Sequence, residues 1–136
     1  MTDPSPYVYD ATVHRVVDGD TVYLKLTKTF EFPVDFGFRI MDVVKLEKTT
    51  VVNFRLLGID TPEVVGSQKA EGLKAEAELV RLLALGPLKV YTYKADKYGR
   101  WLARIEVTVE DGTVVDVNEE LLRGGFAKPY EGKGPR

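Results

Sequence analysis

Alternating apolar and polar positions dominate the first part of the chain and predict β-strands. From Tyr7 to Val17 the residues are rich in β-branched and aromatic types, and Thr21 to Leu26 alternates with a period of two. Asp18-Gly19 between these runs is a favoured hairpin turn. We therefore predict an opening β-hairpin whose turn carries an acidic residue on each side of the glycine.

The next segment is harder to assign, because Pro33 and Gly37 interrupt an apolar and aromatic run within residues 27–50. We interpret this segment as an added hairpin. In this interpretation the second strand continues in a bent form, and the return strand ends in a turn at residues 48–50. A further strand then runs from Val51 to Ile59.

A helical period replaces the alternation between Ser67 and Leu85. Gly86-Pro87 ends the pattern, because glycine can adopt a left-handed cap and proline cannot continue a helix. Apolar residues recur at spacings of four, three and four, which places them on one helical face that we expect to be buried. They are Leu73, Ala77, Val80 and Ala84.

Two more strands and a second helix complete the pattern. Leu88 to Ala95 and Trp101 to Val109 have the composition of strands, and Asp111-Gly112 is a hairpin turn that follows them. We place the second helix between Asp116, which can cap its first turn, and Gly124-Gly125, which can end it. Short turns without regular strand-helix alternation favour a small closed barrel over a parallel sheet. The predicted fold class is mainly β (α+β), with two helices and the added hairpin.

Length and composition indicate one domain. A chain of 136 residues can close a single hydrophobic core but not two, so we treat residues 1–136 as one domain. We expect residues 1–6 and 131–136 to be disordered, because they offer little to bury. No apolar run is long enough to cross a membrane, and the chain does not start with a secretory signal. We expect a cytoplasmic protein if this is the full chain and a secreted one if a leader was removed.

The residue types exclude several kinds of site. The chain has no cysteine and a single histidine, His14, which excludes disulfide frameworks, thiolate metal sites and multi-histidine zinc sites. A bound metal would have to be a hard cation held by oxygen. The net charge of −2 is not that of an obvious nucleic-acid-binding protein, but residues 89–104 carry five basic residues and one acidic residue. One face can therefore be positive while the whole chain is slightly acidic.

The stretch from Phe54 to Glu63 most needs a functional explanation. Its apolar residues suffice to bury a short strand, so Arg55 must point away from that packing and Asp60 must lie where the strand ends. Pro62 ends the pairing because it has no N–H. The stretch therefore offers a guanidinium, two carboxylates and a hydroxyl, which together suit a metal ion and a phosphate.

Two other turns offer similar side chains. They are Asp18-Gly19-Asp20-Thr21 in the opening hairpin and Asp96-Lys97-Tyr98-Gly99-Arg100 between two later strands. Each alone is an ordinary polar turn. At the strand ends of one small barrel, however, the three segments supply carboxylates for a cation and for proton transfer, and two guanidiniums for a phosphate. Metal-assisted phosphodiester cleavage requires these groups.

The chain resembles the staphylococcal (micrococcal) nuclease family, also called the thermonuclease family. The resemblance implies a five-stranded OB-fold barrel and a calcium-dependent nuclease that cuts DNA and RNA, prefers single-stranded or frayed regions and leaves 3′-phosphate ends. Residues 27–50 are longer than the family pattern and correspond to the added hairpin. The matching segments occur in family order, and their combination is specific. They are Val17–Val22, Phe54–Glu63, Asp96–Ala103 and Val117–Gly124.

The resemblance implies a calcium site. Asp20 and Asp60 match the calcium-binding carboxylates, and the backbone carbonyl of Thr61 matches a further ligand. So few protein ligands leave room for water and a phosphate oxygen. We expect magnesium to support activity less well than calcium.

The resemblance also implies the catalytic residues. Glu63 matches the carboxylate that orients or deprotonates the attacking water, and Arg55 and Arg100 match the arginines that bind the scissile phosphate. An arginine pKa above about 12 makes either residue a poor proton donor, so we assign both an electrostatic role.

Further residues match substrate contacts. Lys97 and Tyr98 match nucleotide-contacting positions. For Tyr130 two interpretations stay open: stacking on a base, or covering the end of the second helix. We expect His14 to be structural and Trp101 to belong to the core, since it starts an apolar strand.

Two alternatives to a nuclease follow from the same residues. One is a catalytically inactive OB-fold module that binds single-stranded nucleic acid or a protein partner. The other is an interaction protein whose carboxylates only cap turns. Retention of the five proposed functional side chains favours the nuclease, which we expect to be a monomer that acts on DNA and RNA and has no membrane partner. The five side chains are those of Asp20, Arg55, Asp60, Glu63 and Arg100.

Overall fold

Five strands close into a barrel in the computed structural model, which describes residues 7–38, 41–62, 66, 69–95 and 101–129. The elements in chain order are β1 (Tyr7–Asp18), β2 (Thr21–Asp35), β3 (Met41–Leu56), β4 (Ile59–Asp60), α1 (Lys69–Leu83), β5 (Leu88–Ala95), β6 (Trp101–Thr108), β7 (Val114–Asp116), α2 (Val117–Arg123) and β8 (Lys128–Pro129).

The barrel is closed by one parallel strand pair. Antiparallel pairs join β3 to β2, β2 to β1, β1 to β5 and β5 to β6. Phe54, Arg55 and Leu56 of β3 then pair in parallel with residues 101–103 of β6. The short strand β7 adds to the other edge of β6. This topology confirms the expected mainly β, OB-like barrel with two helices.

Alternation along the strands builds the core. In β6, Ala103, Ile105 and Val107 are fully buried and the residues between them are partly exposed. Val22, Leu24 and Leu26 of β2 are also buried and face the same interior. Leucines from both helices complete this single core; they are Leu79, Leu82 and Leu83 of α1 and Leu121 of α2.

The added hairpin is a long two-stranded extension of the barrel. β2 and β3 pair without interruption from Thr21–Arg55 to Asp35–Met41, whereas β1 pairs with β2 only as far as Thr27. Pro33 is tolerated because β2 is an edge strand beyond that point. The added hairpin is thus confirmed, but the turn expected at residues 48–50 is wrong, because β3 continues through it.

The first helix is confirmed, but its expected buried face is wrong. Leu73 and Val80 are 46% and 48% exposed. Apolar residues occur on two faces of α1, and the face with three leucines buries the larger side chains and therefore packs on the barrel. The buried residues are Gly72, Ala75, Leu79, Leu82 and Leu83.

The second helix has the expected ends. The Asp116 carboxylate accepts a hydrogen bond of 3.1 Å from the backbone N–H of Glu119, and Gly124 forms the C-cap. After α2 the chain returns to the barrel, where β8 pairs with β4 in a small sheet that the sequence pattern did not reveal. Neither described helix has the length and hydropathy of a membrane span. The ends expected to be disordered, 1–6 and 131–136, lie outside the described residues.

Candidate active site

Three chain segments meet at one end of the barrel. Thr21 pairs directly with Arg55 across the β2–β3 ladder, and the backbone carbonyl of Asp20 accepts a hydrogen bond of 2.8 Å from the N–H of Leu56. Leu57-Gly58 then turns the chain into β4, which ends at Asp60. Gly58 has a φ of 81°, a left-handed conformation that favours glycine. The opening hairpin turn and the exit of β4 are therefore side by side.

Arg55 lies between the two carboxylates that the resemblance assigns to calcium. Its Nη1 is 2.9 Å from Oδ2 of Asp20, and its Nη2 is 3.5 Å from Oδ1 of Asp60. Nη2 also donates to the backbone carbonyl of Ile59 at 3.1 Å. The Arg55 side chain is only 3% exposed. One guanidinium thus holds both carboxylates on the same side of the barrel.

Asp20 connects the hairpin turn to the chain after β4. Its Oδ2 accepts a hydrogen bond of 3.0 Å from the backbone N–H of Thr61. Its Oδ1 accepts a hydrogen bond of 3.1 Å from the hydroxyl of Thr21. Because Asp20 is buried, these bonds and the ion pair with Arg55 offset the cost of removing its charge from water.

The pKa values of Asp18 and Asp20 move in opposite directions. Burial, with the neighbouring Asp20 carboxylate, raises the pKa of Asp18 to about 6. Burial also acts to raise the pKa of Asp20, but hydrogen bonding to Asp18 and the charge of Arg55 outweigh it, and the pKa of Asp20 is lowered. Of the two, Asp20 is therefore the carboxyl that ionises at lower pH, and a metal ligand must be ionised.

Gly19 allows the close approach of the site to α1. A Cβ atom at this position would lie 2.7 Å from Cβ of Ala75 and 2.8 Å from Oγ1 of Thr61. Any side chain at residue 19 would therefore push the turn away from the helix or displace Thr61. Oγ1 of Thr61 is buried and has no hydrogen-bond partner among the described residues.

The donor set fits a hard cation. Asp20 and Asp60 would supply carboxylate oxygens and Thr61 its backbone carbonyl, and the unsatisfied Oγ1 of Thr61 is a further oxygen on the residue whose N–H bonds Asp20. The described residues include no cluster of three metal-binding side chains. Calcium, which accepts carbonyl and water ligands as well as carboxylates, suits such a sparse set better than zinc.

Five of the expected site residues lie outside the described part of the chain. They are Glu63, Lys97, Tyr98, Arg100 and Tyr130. The described residues that flank them approach the site. Trp101 pairs with Phe54, next to Arg55, and Lys128 pairs with Asp60.

One other expectation is wrong, and one basic residue has a structural role. Trp101 is 50% exposed and is not a core residue. His14 lies on β1 with an exposed side chain, and its structural role stays a prediction. Arg104 lies 4.0 Å above the ring of Tyr91 and forms an ion pair of 2.6 Å with Glu106. Arg104 therefore adds little to a positive face.

Asn118 supports the site in a way that its sequence position did not reveal. It is buried at the start of α2, and its Nδ2 donates to the carbonyls of Leu57 at 2.9 Å and Ala103 at 3.1 Å. Its Oδ1 accepts from the N–H of Ile105 at 3.2 Å. Asn118 thus fixes the turn that leads to Asp60. A polar residue in the first turn of a helix is the only sequence signal, and it is a weak one.

Comparison with known proteins identifies relatives along most of the chain. An uncharacterized protein of Methanocaldococcus jannaschii is 29% identical over 90% of this chain and 59% of its own length. Endonuclease YhcR of Bacillus subtilis is 30% identical over 90% of this chain and 9% of its own length. A probable staphylococcal-like nuclease, CAN1, of Oryza sativa subsp. japonica is 35% identical over 71% of this chain and 27% of its own length. The chain thus spans less than two thirds of each relative.

A sequence model of one family also matches. Its description is staphylococcal nuclease homologue, and the match covers residues 53–136, which include Arg55, Asp60 and Thr61 but not Asp20. The opening hairpin that carries Asp20 lies before the matched region, and the structure brings it to Arg55. More than half of the chain is matched, and the chain therefore belongs to the staphylococcal nuclease family.

Proposed function

We propose that this protein is a calcium-dependent nuclease that hydrolyses phosphodiester bonds of DNA and RNA. The main support is the convergence of Asp20 and Asp60, from separate segments, on the buried guanidinium of Arg55. Oxygen donors beside a guanidinium suit a metal ion that holds a phosphate. Two relatives with nuclease names add support for the reaction class.

The residues of the chain have separate tasks in this proposal. Asp20, Asp60 and the carbonyl of Thr61 hold the cation. When bound, calcium would polarise a phosphate oxygen and favour ionisation of water. Glu63 orients the attacking water and accepts its proton.

Arg55 and Arg100 stabilise the negative charge that develops on the phosphate. Bidentate guanidinium contacts strengthen as charge grows on the equatorial oxygens, so they lower the barrier more than they tighten substrate binding. Arg55 also keeps Asp20 and Asp60 in place, as its contacts with both indicate. Lys97, Tyr98 and Tyr130 contact the nucleotide beside the scissile bond, with Tyr130 stacking on a base.

The first test is the metal dependence of cleavage. Denatured DNA is incubated with the protein in calcium, in magnesium and in chelator, alongside Glu63→Gln. We expect degradation in calcium, less in magnesium and none in chelator, and a loss of about 100-fold or more in Glu63→Gln. If the wild type degrades nothing in calcium at any pH at which it is folded, the proposal fails.

The second test separates the arginine roles from general charge effects. Arg55→Lys and Arg100→Lys keep the positive charge but lose the planar fork, so we expect each to lose about 100-fold in rate. Arg81→Lys is the control, because Arg81 is exposed on α1 and, within the described residues, forms its ion pair with Glu78 of the same helix. Full activity in either variant would remove that arginine from phosphate binding.

The product ends and the substrate form are tested on labelled oligonucleotides. We expect 3′-phosphate ends, which terminal transferase extends only after phosphatase treatment. Single strands and frayed duplex ends should be cut faster than closed duplexes. Tight binding of single strands without cleavage in any metal would instead identify an inactive OB-fold binding module.

A further inference from the structure

The added hairpin presents an apolar face to solvent. Directly paired residues of an antiparallel ladder point to the same side, so the pairs Phe30–Leu46 and Phe32–Val44 form one continuous face. These four side chains are 38% to 54% exposed, and the rings of Phe30 and Phe32 lie side by side with centroids 6.4 Å apart. We call these four residues the apolar face of the hairpin.

The two faces of the hairpin differ. On the opposite face, Glu31 pairs with Lys45 in the ladder and forms an exposed ion pair of 3.4 Å. The apolar face, by contrast, continues the line of buried core positions along β2, which ends at Leu26. A continuous exposed apolar patch with charged residues at its rim is typical of an interaction site.

Charges of opposite sign lie at the two ends of the apolar face. At the barrel end, Lys28 pairs with Lys48 across the ladder, and at the outer end Val34 pairs with Asp42. Within the described residues neither lysine forms an ion pair; Nζ of Lys28 lies 5.3 Å from the ring centre of Phe30. The face therefore runs from two lysines, through four apolar residues, to one carboxylate.

This order of residues complements itself when a second copy is turned by a two-fold rotation. One possible two-fold axis lies between the stacked faces and runs perpendicular to the strands. With this axis, β2 lies over the partner's β2 in the opposite direction, and Phe30 faces the partner's Phe32. In the same arrangement Leu46 faces the partner's Val44, and Lys48 faces the partner's Asp42. With the axis along the strands, Lys28 would face the partner's Lys48, and the four lysines would repel one another. The antiparallel arrangement is therefore favoured.

The hairpin tip and the barrel end also fit each other in this arrangement. The seven strand residues from Lys28 to Val34 span about 20 Å, so stacked faces alone cover less than the roughly 800 Å² per partner of a standard interface. The tip extends beyond the partner's lysines and carries Phe36, which is 54% exposed. There it reaches a cavity of about 390 Å³, whose lining includes Tyr7, Phe54 and Trp101.

We propose that the added hairpin is a dimerisation arm, and that two copies of this chain pack their apolar faces antiparallel with each tip over the other copy's barrel-end cavity. The dimer is isologous, since each copy contributes the same surface. It departs from the monomer that we expected from the sequence. It does not depend on the nuclease activity.

Adjacent valines provide a matched test. V44E places a carboxylate in the apolar face, whereas V43E makes the same change one residue away on the opposite face; the two positions are 42% and 51% exposed. We expect the wild type and V43E to sediment as dimers of twice 15.2 kDa. V44E should raise the dimer dissociation constant about 100-fold or more, because it buries an unpaired charge. At concentrations well below the dimer dissociation constant of V43E, circular dichroism should show the same thermal stability for both variants, since neither is then stabilised by dimerisation.

Charge reversal tests the antiparallel arrangement and the identity of the partner. D42K and K48E should each weaken the dimer about tenfold, because like charges then face each other. The double variant D42K/K48E should restore it. A wild type that stays monomeric from micromolar to near-millimolar concentration overturns the proposal, as does a V44E variant that still forms dimers. If the double variant shows no rescue, the antiparallel arrangement is wrong.

Discussion

Nη1 of Arg55 lies 2.9 Å from Oδ2 of Asp20, and neither side chain is more than 6% exposed. A buried ion pair adds little net stability, but removing one partner leaves an uncompensated charge in a medium that solvates it poorly. The pair also joins β3 to the opening hairpin turn. The same two groups that we propose for catalysis therefore help to hold the barrel end together.

We expect Asp20→Asn to destabilise the protein by about 3 kcal/mol at neutral pH, because it removes the charge of the carboxylate that lies 2.9 Å from the buried Arg55 guanidinium. Asp60→Asn is the matched comparison. Asp60 is 3.5 Å from the guanidinium and its side chain is 23% exposed, so we expect a loss below about 1 kcal/mol. Urea denaturation in chelator measures both values. Equal losses of stability would show that Asp20 is not the main group that stabilises the buried charge of Arg55.

Asp18 should make the protein less stable as pH rises. Its pKa is raised from 3.8 to about 6 in the folded state, so between these values the folded protein binds more protons than the unfolded chain. Stability from this group is therefore complete below about pH 4 and is lost as pH rises through 6. Asp20, whose pKa is lowered, has the opposite effect below pH 4.

Asp18→Asn removes this loss. For a fully buried group, a pKa shift of about two units would change the free energy of unfolding by about 3 kcal/mol. Asp18 is partly exposed, so we expect Asp18→Asn to be more stable than the wild type by about 1 kcal/mol at pH 7 and not at pH 4. Urea denaturation in chelator across this range gives the difference, and a difference that does not change with pH would contradict the assignment.

Gly19→Ala should disturb the site as well as the fold. The added Cβ would lie too close to Ala75 and Thr61, so one of these residues or the turn itself would have to move. We therefore expect the free energy of unfolding to fall by about 2 kcal/mol. Gly112→Ala is the control. Gly112 has a φ of 90° in open space, so alanine there should cost about 1 kcal/mol through backbone strain alone. Under the proposed function Gly19→Ala also loses nuclease activity and Gly112→Ala keeps it; equal activity would show that the turn adapts.

Local sequence signals predicted most of the barrel, because each depends on neighbouring residues. The turn Asp18-Gly19 and the cap at Asp116 act within a few positions and are found where we expected them. The helix α1 ends at Leu83, earlier than expected, and Gly86 does not adopt the left-handed conformation of a cap. Tertiary packing decided the rest. Both candidate faces of α1 have helical spacing, and only contact with the barrel selects the one that contains Leu79 and Leu82.

The sequence predicted which described residues of the candidate site lie together, but it did not predict their supporting contacts. Asp20, Arg55, Asp60 and Thr61 come together as we expected from the sequence. Asn118 was missed because its hydrogen bonds reach Leu57, 61 positions earlier. Local sequence patterns do not indicate contacts between residues that are so far apart in the chain.

Asn118→Asp should destabilise the protein in a pH-dependent way. The substitution keeps an acceptor for the N–H of Ile105 but replaces the donor to the carbonyls of Leu57 and Ala103. An ionised carboxylate against two carbonyl oxygens should cost about 3 kcal/mol at pH 7. In acid the carboxyl is protonated and can donate again, so we expect much of the loss to disappear near pH 4.

Asn118→Ala separates the repulsion from the lost hydrogen bonds. Alanine leaves the Leu57 carbonyl and the Ile105 N–H without Asn118, so we expect a loss of about 2 kcal/mol at both pH values. Urea denaturation of the two variants and the wild type at pH 4 and pH 7 gives the comparison. If Asn118→Asp is as stable as the wild type at pH 7, Asn118 does not fix the turn before Asp60 and the position of that carboxylate must depend on Arg55 and Lys128 instead.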